Sequence, residues 1–183
     1  MSLRACLLLE TYWPQVGGGE TAGRMLARGL AGRGHEVTVL TRRSVPGSPA
    51  RERDGEVRVR RLPPGGSGPG RKWALSVPVF GAVLSARGEF DVLVALGFRV
   101  LGAPAVVAGG LLRLPVVLKA ESRGELSGEF FRRGLERFGL SPEAAPVRAA
   151  IEARNRILRR AEAFVAMSSE LEREFRAGGV PAP

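Results

Sequence analysis

The sequence predicts an α/β fold, a doubly wound and mostly parallel sheet in a single domain. Short apolar runs of strand length alternate with helix-periodic segments along the whole chain, about six times. Most of those runs are continuously apolar, as strands buried on both faces are. A chain of 183 residues holds one such domain and is too short for two of ordinary size.

Leu3–Leu9 is an apolar run closed by Glu10 and reads as a first buried strand. A loop with Pro14 and the triplet Gly17-Gly18-Gly19 follows. From Glu20 the period changes, and Ala22, Met25, Leu26 and Leu30 fall on one helical face. Gly32 and Gly34 bracket the end of that helix. Glu36–Thr41 is β-branched and apolar, a second strand. Residues Ser44–Asp54, rich in proline, glycine and charge, read as loop. Glu56–Leu62 alternates valine with arginine, the pattern of a half-exposed strand at a sheet edge. Pro63–Gly70 is a turn-rich loop.

Arg71–Arg87 is expected to be helical, kinked or broken at Pro78. Asp91–Leu96 is a further buried strand, Phe98–Arg113 a small-residue helix and Leu114–Lys119 the next strand. Ala120–Pro142 is charged and glycine-dotted, with a short helix expected at its middle. Ser141-Pro142-Glu143 reads as an N-cap, and Val147, Ala150, Ile151 and Leu158 mark the face of the helix that follows. Ala163–Met167 is a last strand, and Ser169 with Glu172 forms a capping box for a helix carrying Leu171 and Phe175.

Twenty-eight basic against 18 acidic residues give a net charge of +10, almost all of it arginine, which suits an anionic partner or a compositional bias. No nucleic-acid surface is expected, because the arginines form no block interleaved with aromatics, which are only 6% of the chain. Contact with an anionic membrane remains open. The single cysteine, Cys6, cannot form an internal disulfide and suits a reducing compartment. The start of the chain lacks the pattern of a signal peptide, and no long uninterrupted apolar stretch implies a spanning helix. A cytoplasmic protein is expected, with peripheral contact at the inner membrane face the alternative that the charge raises. The lone histidine, His35, and the absence of paired cysteines give no metal spacing.

In such sheets a ligand lies beyond the carboxyl ends of the strands. The candidates are therefore Tyr12 and Gly17, Gly18 and Gly19 after the first strand, and Gly97, Phe98 and Arg99 after the fourth. Lys119, Glu121, Ser122, Arg123, Gly124 and Glu125 follow the fifth, and Ser168 and Ser169 the last. The glycine triplet lets the backbone approach a phosphate at a helix N-terminus. It matches neither GxGxxG nor the Walker A pattern. Thr41-Arg42-Arg43 stands where a nicotinamide enzyme would place an acidic residue, although arginines suit a 2′-phosphate. An oxidoreductase domain and a stand-alone module for an anionic ligand are thus the alternatives.

Tyr12-Trp13-Pro14-Gln15-Val16-Gly17-Gly18-Gly19-Glu20, then Leu26–Leu30, then Arg33-Gly34-His35-Glu36-Val37-Thr38-Val39 resemble the opening of family-4 (group 1) glycosyltransferases. Val57–Pro63 and Asp91-Val92 fit the same template more loosely. The resemblance implies the N-terminal, acceptor-side lobe of a two-lobed GT-B enzyme, spanning 1–183. It implies sugar transfer from a nucleotide-sugar donor to a sugar or lipid-linked acceptor, with retention of configuration and no metal or cofactor beyond that co-substrate. By the same resemblance Gly17, Gly18 and Gly19 close on the donor diphosphate. Tyr12, Gly97, Phe98, Arg99, Lys119, Glu121, Ser122 and Arg123 lie on the acceptor side, and no catalytic residue is assigned. The donor-binding lobe with its spaced glutamate pair is expected beyond Pro183, and the fragment alone is expected to be inactive.

Overall fold

The computed structural model describes residues 2–66, 70–129, 141 and 143–180. Seven strands form one sheet in the order β3-β4-β2-β1-β5-β6-β7. They are β1 (Arg4–Leu9), β2 (Glu36–Arg42), β3 (Arg51–Asp54), β4 (Val57–Leu62), β5 (Val92–Leu96), β6 (Val116–Lys119) and β7 (Ala163–Val165). Every pairing is parallel except β3 with β4. The helices are α1 (Gly18–Ala31), α2 (Arg71–Ala74), α3 (Ser76–Ser85), α4 (Phe98–Leu112), α5 (Ala145–Leu158) and α6 (Ser169–Ala177). The chain is thus the mostly parallel, doubly wound α/β domain expected.

Register sorts the side chains onto two faces. Cys6 and Leu8 of β1 align with Thr38 and Leu40, and with Leu93 and Ala95. That face carries the larger core, built with Val79 and Val83 of α3, Leu101 and Ala105 of α4, and Leu171 and Phe175 of α6. The opposite face carries Leu7, Leu9, Val39 and Val59 with Ala27 of α1. Right-handed crossovers require this division. The chain steps one way from β1 to β2, so α1 lies on one face. It steps the other way from β4 to β5, β6 and β7, so the later helices lie on the other. At the β3-β4-β2 end, the face that α3 and α4 share is filled by arginine in place of apolar residues: Arg58 and Arg60 align with Thr38 and Leu40.

Several local expectations change. The segment read as loop up to Asp54 contains β3, so β4 lies inside the sheet and β3 is its edge. Sequence patterning missed β3 because its four residues, Arg-Glu-Arg-Asp, carry no apolar signal. The inward face of α1 is Gly23 and Ala27, while Met25 is 71% exposed. Gly23 permits close packing, since a Cβ there would lie 2.2 Å from Leu9 Cδ2. The helix break falls at Leu75, whereas Pro78 sits in the first turn of α3, where its missing N–H costs nothing. Pro104, inside α4, cannot donate to the Val100 carbonyl, and Ser76 Oγ donates there instead at 3.3 Å. The N-cap of α5 is Ala144, and Ala150 is exposed. In α6 the cap is Ser168, whose hydroxyl accepts from the Leu171 N–H. The short helix expected near the middle of 120–142 falls outside the described residues.

Candidate functional site

β1 and β5 lie side by side at the centre, and the connections from their tips leave in opposite directions. A crevice opens there, as sheet topology dictates. It encloses about 420 Å³ and is lined by Leu9, Glu10, Thr11, Gln15, Gly19, Glu20, Arg42, Leu96, Arg99, Glu121 and Ser122.

Glu121 is its centre. A Cβ built on Gly19 would lie 2.6 Å from Glu121 Oε2, and one built on Gly97 would lie 3.0 Å from the same oxygen. Two chain segments therefore close on one carboxylate because both present glycine. Gly97 has a second reason, its left-handed φ of 71° at the N-cap of α4. Glu121 Oε1 is buried without a hydrogen-bond partner among the described residues. Burial pushes its pKa up, the Lys119 charge opposes this, and Glu125 and Glu20 add to it. The loop beneath is held by carboxylates. Glu125, 1% exposed, accepts from the Glu121 and Ser122 N–H groups at 3.0 and 3.1 Å. Glu174 of α6 accepts from the N–H groups of Gly124, Leu126 and Ser127 at 2.9 to 3.0 Å. Burial alone would raise Glu174, and those backbone donors outweigh it, so its pKa falls.

The glycine loop is anchored from outside the crevice. Tyr12 is fully buried, and its hydroxyl donates to Asp54 Oδ2 at 3.0 Å. Asp54, the last residue of β3, also takes Arg24 Nε at 2.7 Å and Arg28 at 2.9 Å. Hydrogen bonding from Arg24 leads in holding the Asp54 carboxyl below its usual range, while burial pushes the Tyr12 phenol up. Arg24 also covers the Trp13 ring at 4.1 Å, and the nearly buried Arg61 donates to the Trp13 carbonyl at 2.6 Å.

Of the residues named from sequence, the structure brings together Gly19, Gly97, Arg99, Glu121 and Ser122. Gly17 is the extended N-cap of α1, and Gly18 is exposed with open space where a Cβ would stand. Four acceptor-side candidates stand outside the lining of the crevice. Tyr12 and Phe98 are both 0% exposed, and Phe98 packs against Phe164 and Phe175, with centroids 5.9 and 6.0 Å away. Lys119 points to Met167 Sδ at 3.0 Å, outside the crevice lining. Arg123 pairs with Glu170 at 2.9 Å and Glu129 at 3.5 Å, also outside it. Sequence reasoning missed Glu10, Thr11, Gln15 and Glu20. Their positions just after β1 and in the first turn of α1 were the available signal. Arg42, weighed as a 2′-phosphate ligand, is buried and donates to the Gly66 carbonyl.

A larger hollow of about 630 Å³ runs along the edge strand β7, walled by Phe164, Phe175 and Val180 with ion-paired Arg159 and Arg176. It lies away from the β1/β5 switch point. Among the described residues no group of histidine, cysteine, aspartate and glutamate could hold a metal. Nor is any described helix long and apolar enough to cross a membrane.

The glycosyl transferase 4-like domain family matches residues 17–183, and the chain belongs to that family. Sucrose-phosphate synthase from Thermosynechococcus elongatus shares its fold with a TM-score of 0.66 at 17% identity, over 96% of this chain and 45% of that one. A shorter chain of the same enzyme aligns with a TM-score of 0.60 at 16% identity, over 94% of this chain and 81% of that one. A structure described as LpCGTa in complex with UDP aligns with a TM-score of 0.57 at 17% identity, over all of this chain and 50% of that one. The chain thus spans about half the length of two of these structures. No curated protein sequence matches it significantly.

Proposed function

We propose that the chain is the acceptor-side lobe of a GT-B enzyme, one that transfers a sugar from a nucleotide-sugar donor to an acceptor with retention of configuration. Family membership supports sugar transfer, and the UDP held by the LpCGTa structure supports a nucleotide-linked donor. The observation that carries the reading is the crevice at the strand tips, where Gly19 and Gly97 close on the half-buried Glu121 carboxylate. Glu121 lines that crevice, and a carboxylate there can accept a hydroxyl hydrogen bond. Glu121 and Ser122 hold the acceptor, with Arg99 in the same crevice lining. The exposed first turn of α1 at Gly18 presents N–H groups to a diphosphate brought by a second lobe, favouring charge that grows on the leaving phosphate.

Gly18 supplies the test. Its missing Cβ faces open space in this lobe, so Gly18→Val keeps the fold and obstructs only what approaches from outside. In the protein with both lobes, donor turnover is expected to fall at least about 100-fold as the side chain holds the diphosphate off the helix N–H groups, the scale of losing one preorganised donor. The thermal midpoint is expected to stay unchanged. Wild-type turnover in that variant would remove the loop from the mechanism.

A further inference from the structure

Four arginines share one face of the edge hairpin. Strand register places Arg51 directly opposite Arg60 and Arg53 directly opposite Arg58. All four project from the sheet face that α3 and α4 cover elsewhere, because Arg58 aligns with Thr38 and Cys6, and Arg60 with Leu40 and Leu8. They line an open groove of about 510 Å³ with Thr38, and Glu89 contributes to its wall. Glu52, also at the groove, turns its carboxylate to Arg61. Of the four, only Arg58 has an ion-pair partner among the described residues, Glu36 at 2.8 Å.

Like charges directly opposed across a ladder are destabilising. Protecting a sheet edge needs charge, but it does not need two same-sign pairs in register. The arrangement instead suits bound anions between the guanidinium groups. The same side of the sheet carries a second feature. Helices α2 and α3 expose Trp73 (38%) and Val77 (76%) beside Arg71 and Lys72. Cations with a tryptophan and an aliphatic side chain on one side match a surface of anionic headgroups over an apolar boundary. A single small phosphate would use only the cations.

The geometry points to this side of the molecule, the Arg51-Arg53-Arg58-Arg60 face with Trp73 and Val77, as a docking surface for an anionic lipid bilayer. The inference is independent of the proposed sugar transfer. Sedimentation of the protein with vesicles tests it, comparing phosphatidylglycerol mixed with phosphatidylcholine against phosphatidylcholine alone. Binding is expected only to the mixed vesicles and weakens as salt rises. R51E/R53E is expected to lower that binding at least about 30-fold. Its thermal midpoint stays at or above the wild-type value, because the new carboxylates face Arg60 and Arg58. R33E/R148E, with the same change in net charge elsewhere, is expected to alter binding less than about threefold. Wild-type binding by R51E/R53E, equal losses in both variants, or no binding to mixed vesicles would overturn the inference. So would groove-dependent binding of polyglutamate without binding to vesicles, which would assign the face to an acidic protein.

Discussion

Glu121 shows how one residue can be an electrostatic cost to its own fold. Its carboxyl is held partly away from water near Glu125 and Glu20, and its pKa rises. A raised carboxyl pKa means that folding favours the protonated form. The penalty is absent below the unfolded pKa and grows as pH rises through the folded one. Glu121→Gln should therefore raise the thermal midpoint at pH 7. The gain should vanish below the ordinary glutamate pKa of 4.5, which melting curves across pH would check. Gly19→Ala acts on the same group, since its Cβ would stand 2.6 Å from Glu121 Oε2. Phe98 has the opposite character. Read from sequence as a contact, it is a core ring, and Phe98→Ala should cost about 3–5 kcal/mol in denaturant unfolding.

At the scale of elements, β3 does more than its four residues suggest. Through Asp54 it joins α1 and Tyr12, and so fixes the loop entering the glycine triplet. Removing one member of a buried ion pair strands the others. Arg24 and Arg28 keep contact with water, so Asp54→Ala should cost about 2–3 kcal/mol, below the fully buried range. The depressed Asp54 carboxyl stabilises the fold above its unfolded pKa of 3.8, and that contribution is lost as pH falls through the folded value. Asp91, held down to about 2 chiefly by the Arg4 guanidinium, is lost over the same acid range. Acid unfolding of Asp54→Ala should accordingly begin from a lower plateau and show a shallower pH dependence. In the same hairpin, R51E/R53E should gain about 0.2–1 kcal/mol for each opposed pair converted to opposite charge, measurable by urea unfolding.

For the whole molecule, the proposed division of labour leaves the donor to another lobe. A nucleoside diphosphate should not raise the thermal midpoint of these 183 residues, whereas the protein carrying both lobes should be stabilised by an amount that grows with the logarithm of ligand concentration above Kd. A shift of several degrees in the single lobe would mean that the donor phosphates bind here. The +10 charge is also unevenly used. Within the crevice Glu10, Glu20 and Glu121 outnumber Arg42 and Arg99, while the hairpin face gathers four arginines. Ionic strength should therefore affect surface docking strongly and acceptor binding little.

The alternation of elements, the buried central strands and the places where ligands can gather were legible in the sequence, because burial on both faces and helical period leave local marks. The glycine triplet and Glu121 were found by that logic, as residues that follow a strand. What stayed hidden depended on partners distant in the chain. Tyr12 and Phe98 are aromatic residues after strands, and nothing local says that Asp54 or Phe164 and Phe175 will claim them. β3 has no apolar residue to announce it, and only pairing with β4 makes it a strand. The sequence alone determined the fold class and the end of the sheet where the crevice opens. Tertiary structure alone decided which candidates face the crevice and which arginines stand together, because register and packing are set by contacts between segments far apart in the chain.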